Sequence, residues 1–226
     1  MNCISICSSR GRPDLCRRMI ESFLSTKSFQ TGMFVYVDEK DKFVKQYHEM
    51  LVGFGIIHEI GPHKYLCQVD NYASTILYPG LKYYHEVNDD HIFRENGWDV
   101  EMQSLIEKNK GWGIVSSEGR EHLPTATMIS GNIIDALGYW FPTGFEHHSC
   151  DLFIKDIGVE CGILWYPAKT LIEHMHFAWG KSKRDENYEW VYSQEQAIQG
   201  TAAYQKWIAE KRSEDIGKLK GAMSET

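Results

Sequence analysis

The sequence predicts an α/β fold, a central and mostly parallel sheet flanked by helices, and two observations carry that expectation. In the first part of the chain, apolar runs of strand length alternate with runs that place apolar side chains at helical spacing. The strand-like runs "NCISIC", "GMFVYV" and "GLKYYHEV" also lead into polar or acidic loops, the position where open α/β sheets collect their ligands.

The run "NCISIC" gives way to the loop "SSRGRP" and then to a helix from Asp14, with Leu15, Met19, Ile20, Phe23 and Leu24 at helical spacing. A second strand, "GMFVYV", ends at Asp38, and a helical stretch from about Asp41 to Phe54 leads to a third, "GIIHEI". The segment "VDNYASTIL" suits a helix, and "GLKYYHEV" a central strand that ends in Asn88, Asp89, Asp90 and His91. Farther on, the pattern predicts a helix from about Val100 to Asn109 and a strand "GWGIVSS". The segments "TATMISGNIIDALGYWFP" and "HHSCDLFIKDIG" read as short helices ending at Gly138 and Gly158. Strand-like "CGILWYP" and "TLIEHMH" follow, then a polar helix from about Ser193 to about residue 220, and the last residues, "EDIGKLKGAMSET", are expected to fray. No repeat or low-complexity linker divides the chain, so a single domain over 1–226 is expected.

Composition bounds the partners. With 24 basic against 31 acidic residues, a formal −7, no run of Lys or Arg is dense enough to track a nucleic-acid backbone. No stretch is long and apolar enough to span a membrane, and "MNCISICSSR" lacks the pattern of a secretory signal, so the expected compartment is the cytoplasm. Cys3, Cys7, Cys16, Cys67, Cys150 and Cys161 form no C-x-x-C pair and read as buried free thiols.

Several constellations could carry chemistry. Asp89 and Asp90 repel one another unless a positive partner sits nearby. A hard cation such as Mg2+ or Mn2+, shared with phosphate oxygens, would supply one, although "NDD" also suits an ordinary turn. "IEHMH" places His174 and His176 two apart in a strand-like run, hence on one face, where an imidazole could complete a cation shell begun by Asp90. Either histidine could equally be a satisfied polar strand residue. The loop "SSRGRP", between strand and helix, favours anions but lacks the glycine and lysine spacing of a P-loop. Asp38 could accept hydrogen bonds from a base or ribose, or be a turn residue. Asp151 could serve as a general base or simply favour the positive end of a helix.

Taken in order, "SSRGRP", "VNDDHIFRENGWD", "LPTATMISGNIIDALGYWFP", "HHSCDLFIKDIG", "LWYPAKTLIEHMHFAWGK" and "RDENYEWV" resemble the GT-A-type glycosyltransferases of the family 2 kind, closest to small single-domain members of phage and bacterial type. The resemblance runs from about Cys3 to Tyr192. It implies a nucleotide-sugar donor, a UDP-sugar first among them, and Mn2+ or Mg2+. Under it, Ser9, Arg10 and Arg12 line the nucleotide site, Asp38 meets the base, Lys64 and Asn71 flank the nucleotide, and Asp89 lies by the ribose. Asp90 would hold the cation together with one histidine of "HMH", His176 in preference to His174. Asp151 takes the place of the catalytic base in an inverting reaction, and Trp98 borders the sugar pocket. Asn88 departs from the glycine or acidic residue that the family often has before its two aspartates, which bears on the first position of the motif but not on Asp90. The acceptor is left open among saccharide, protein, small molecule and modified DNA base. The competing readings are a sugar-phosphate nucleotidyltransferase, for which one glycine in "SSRGRP" is too few, and a nucleotide-sugar-binding protein without turnover.

Overall fold

Alternation along the first strand, β1 (Cys3–Ser9), decides how the sheet is layered: Cys3 and Cys7 enter one core and Ile4 and Ile6 the other. The second strand, β2 (Thr31–Asp38), repeats the rule, with Met33, Val35 and Val37 on the first side and Phe34 and Tyr36 on the second. Both faces are therefore covered, and the strands read as continuous apolar runs. The computed structural model describes residues 1–117 and 123–225.

Helix α1 (Pro13–Thr26) carries β1 over to β2, and α2 (Val44–Phe54) carries β2 to β3 (Ile57–Gly61). After α3 (Leu66–Tyr72) and a wide turn at Ala73–Leu77, β4 (Tyr83–Glu86) returns to the other side of β1. The chain continues through β5 (His91–Phe93), α4 (Trp98–Glu107), β6 (Ile114–Ser116), β7 (Thr127–Ser130), α5 (Gly131–Leu137), α6 (Cys150–Glu160), β8 (Leu164–Trp165) and β9 (Ile172–His174). It closes with α7 (Glu186–Val191), α8 (Gln194–Glu210) and α9 (Arg212–Ser224).

The main sheet has the order β3-β2-β1-β4-β7-β6-β8, parallel throughout except where β7 runs antiparallel to both β4 and β6. Successive strands leave β1 in opposite directions, toward β2 and toward β4, so a crevice opens at their carboxyl ends. A separate ribbon pairs β5 with β9, setting His91 opposite His174.

Three expectations need correction. "TATMIS" is strand β7 rather than the start of a helix, because Thr127–Ser130 pairs between β4 and β6 before α5 begins. Gly138 does end α5, in the left-handed region at φ 82°, but Gly158 lies inside α6. There it permits close packing: a β-carbon on Gly158 would come within 2.8 Å of Leu164 Cβ. Through Ser224 the end of the chain is helical rather than frayed. Tyr139 and Trp207 both donate to Asp215 of α9, and Leu219 is fully buried beside them. Among the described residues, no helix is long and apolar enough to cross a membrane.

Candidate active site

The carboxyl ends of β1, β2 and β4 open into a cavity of about 560 Å³, within the usual range for a small-molecule site. Ser9, Arg10, Arg12, Asp38, Lys64, Asp89, Asp90, Asp151, His174 and His176 all line it. These residues come from separate loops, and the sheet order is what brings them together.

Asp89 and Asp90 are nearly buried, and the positive partner beside them is Arg12. Its Nη1 lies 3.2 Å from Asp89 and 3.9 Å from Asp90, while Ser9 Oγ donates to the other Asp89 oxygen at 2.8 Å. Burial and the neighbouring Asp90 charge push the Asp89 carboxyl up to about 6, against the opposing pull of Arg12 and Ser9. Burial also works against charge on Asp90. There the hydrogen bond and charge of His174, with His91 and Tyr188, prevail and hold the carboxyl well below its usual range.

Asp90, His91 and His174 each bring one candidate ligand atom to within 4.8 Å of the others. The hydrogen bonds rank them. His91 Nδ1 accepts the Asn88 N–H at 2.9 Å, so in a neutral ring the proton sits on Nε2, facing Thr125 Oγ1 at 3.3 Å. That ring is a support until its tautomer changes. His174 can give its Nδ1 proton to the same Thr125 oxygen, at 3.4 Å, which turns the Nε2 lone pair toward Asp90 Oδ2 at 3.3 Å. Two such lone pairs need a proton or a cation between them, and their separation is that of neighbouring ligand atoms on one small metal ion. The second Asp90 oxygen, Oδ1, is buried without a hydrogen-bond partner. The nitrogen-and-oxygen donor set suits Mn2+ and also accepts other divalent ions.

His176, the histidine favoured from the sequence, is placed differently. The strand ends at His174 and the chain turns into a short helix at Phe177–Trp179, for which His176 is the cap. Its Nδ1 accepts from Ala178 N–H at 3.1 Å and its Nε2 meets Tyr192 Oη at 3.0 Å, so both nitrogens are engaged away from Asp90.

Asp38 accepts from Lys40 N–H and pairs with His63 at 2.9 Å; burial raises its carboxyl, but these partners bring it below the usual value. The Arg10 side chain is half-exposed, 3.9 Å from Asp38. Lys64 Nζ donates to Tyr36 Oη at 2.8 Å. Asp151, in the first turn of α6, is half-buried, and burial raises its carboxyl although the Leu152 N–H favours the charged form. Close packing places this helix: a β-carbon on Gly200 of α8 would fall 2.3 Å from His148 Cβ, just before α6.

Two expected site residues lie elsewhere. Trp98 is fully buried and packs on Phe93, Phe23 and His85, away from the residues that line the cavity. Asn71 binds the backbone of Trp140 and Phe141 with its amide and fixes that turn. Sequence reasoning in turn missed Glu86, His91, Asp185 and Tyr188. His91 adjoins Asp90 and was visible; the last two lie in "RDENYEWV", which carried no assigned role. Glu86 is a buried carboxyl at the end of β4, pushed up to about 7 by burial against the opposing His174 charge. Behind it, Asp70 is fully buried with no hydrogen bond to either carboxyl oxygen among the described residues, and burial and the Glu86 charge push its carboxyl well above the usual range.

No family model matches the chain, and no curated protein does. Solved structures do, at low identity. The Staphylococcus aureus TarS crystal structure aligns with a TM-score of 0.58 at 11% identity, covering 76% of this chain and 36% of that one. TarS 1–349 in complex with UDP-GlcNAc gives 0.56 at 12%, over 94% and 74%. The mannosyltransferase PcManGT from Pyrobaculum calidifontis, in complex with GDP-Man and Mn2+, gives 0.57 at 9%, over 98% and 73%. The chain thus has the fold of the GT-A glycosyltransferases, as its sequence motifs led us to expect.

Proposed function

We propose that the protein is a cation-dependent glycosyltransferase that moves a sugar from a nucleotide-sugar donor, a UDP-sugar first among the candidates, to an acceptor hydroxyl with inversion. One observation carries the reading: Asp90 and His174 converge on a single point in the crevice of a GT-A fold, with an orphaned carboxylate oxygen beside it. The solved relatives give it context, since one binds UDP-GlcNAc and another GDP-Man with Mn2+.

Asp90 and His174 would hold the cation, and the cation would offset charge that develops on the departing nucleoside diphosphate. The remaining roles fall to the chain. Arg12, which has little solvent around it, supplies a fork-shaped donor suited to phosphate oxygens. Asp38 ends β2 and pairs with His63, just after β3, where a nucleoside would be read. Asp151, whose burial makes it a better proton acceptor than an exposed carboxylate, takes the acceptor proton.

A panel of UDP- and GDP-sugars with Mn2+ or Mg2+, scored for nucleoside diphosphate release, tests this reading. Wild type should release diphosphate only with a cation and Asp90→Ala should not, while Asp151→Asn should bind donor normally and transfer roughly 10²- to 10⁴-fold more slowly. Cation-independent release, or equal loss of donor binding and transfer in Asp151→Asn, would count against the assignment.

A further inference from the structure

The chain between Ser182 and Ser193 lies across the mouth of the crevice and touches both of its walls. On the β1 side, Asp185 takes a two-pronged bond from Arg12, Nε at 2.7 Å and Nη2 at 2.6 Å. At the centre, the Tyr188 hydroxyl donates to Asp90 Oδ2, and the Arg12 guanidinium lies 4.2 Å over the Tyr188 ring. On the far wall, Trp190 stacks on Tyr65 with centroids 5.8 Å apart and planes at 7°. We propose that residues 182–193 are a latch that holds the crevice closed until a divalent cation and a diphosphate displace it; the ligand classes rest on the function proposed above.

The latch closes with the same groups that the ligands need. Arg12 now serves three carboxylates, Asp89, Asp90 and Asp185. Its fork fits a phosphate as well as a carboxylate, so an arriving diphosphate competes directly with Asp185. A cation on Asp90 competes with the Tyr188 proton for the same oxygen. Asp185 holds the Arg12 fork with a carboxylate kept below its usual range, so an anionic ligand on that fork would meet repulsion and the strap gains nothing by staying closed over it. Ligand affinity is lowered by the fraction of molecules in which the latch is shut, and any change that weakens the latch should raise it.

Asp185→Asn isolates the effect, because asparagine keeps the α7 cap, the Tyr188 N–H bond at 3.1 Å, and removes only the charge held by Arg12. Amide hydrogen exchange over residues 185–192 of the intact protein, followed by mass spectrometry, reads the latch without relying on turnover. With MnCl2 and UDP, or MnCl2 and GDP, wild-type exchange there should speed up roughly fivefold or more. Asp185→Asn should exchange at the fast rate without ligand and bind Mn2+ and the nucleotide roughly fivefold more tightly by calorimetry. Slower exchange with ligand, or an Asp185→Asn protein that exchanges like wild type, would overturn the latch. If neither nucleotide binds with Mn2+, the proposed function fails and ligand-driven release fails with it, whereas the ligand-free comparison of the two proteins still decides whether Asp185 holds the strap down.

Discussion

Asp89 and Asp90 share Arg12 and otherwise face different partners: Asp89 meets Ser9, and Asp90 meets His174 and Tyr188. Glu86, four residues before Asp90, forms no ion pair among the described residues, and its folded carboxyl is raised to about 7 from 4.5. A raised carboxyl contributes stability that is fully present below the unfolded value, near 4.5, and is lost as pH rises through about 7. Glu86→Gln removes that titration. Relative to wild type it should gain about 2–3 kcal/mol between pH 5 and pH 8, measured by urea unfolding of the metal-free protein. The same relative stability at both pH values would show that Glu86 ionises normally. At this scale the sequence was a partial guide. The acidic pair, Arg12, Asp38 and Asp151 were legible from their loops, but the choice between His174 and His176 was not. Period-two alternation assumes that the strand continues, and β9 stops at His174.

Helices and strands were legible where their pattern was long. The first three strands, α1 and α2 follow directly from apolar spacing and fall within a few residues of the expected bounds. β7 was not legible, since four residues, Thr-Met-Ile-Ser, directly before a helix are too few to show a period of their own. Trp98 shows the same limit for a single side chain. "NGWD" gave no sign that the indole at the start of α4 turns inward onto Phe93 and Phe23, where it is fully buried. Trp98→Ala should therefore cost about 3–5 kcal/mol of stability in urea unfolding and leave nucleotide affinity of the folded protein unchanged by calorimetry. Weakened nucleotide binding with normal stability would put Trp98 back at the ligand.

For the molecule as a whole, strand order turns distant sequence into one site. β1 stands between β2 and β4, so loops that follow three different strands open into the same cavity. The antiparallel ribbon of β5 and β9 then brings His174 across from more than eighty residues away, with its Nε2 3.3 Å from Asp90. The switch point could be anticipated from the α/β alternation. The ribbon could not: "TLIEHMH" reads as strand-like, but the three-residue β5 carries no signal of its own that would name a partner. The proposed function turns above all on one cation joining Asp90 to His174. Mn2+ titration by electron paramagnetic resonance, in the presence of UDP or GDP, tests it across His174→Ala, His176→Ala and wild type. Loss of His174 should weaken Mn2+ binding by roughly a hundredfold or more, beyond the effect of removing a supporting residue, while His176→Ala retains it. Retained binding in His174→Ala together with loss in His176→Ala would contradict the account.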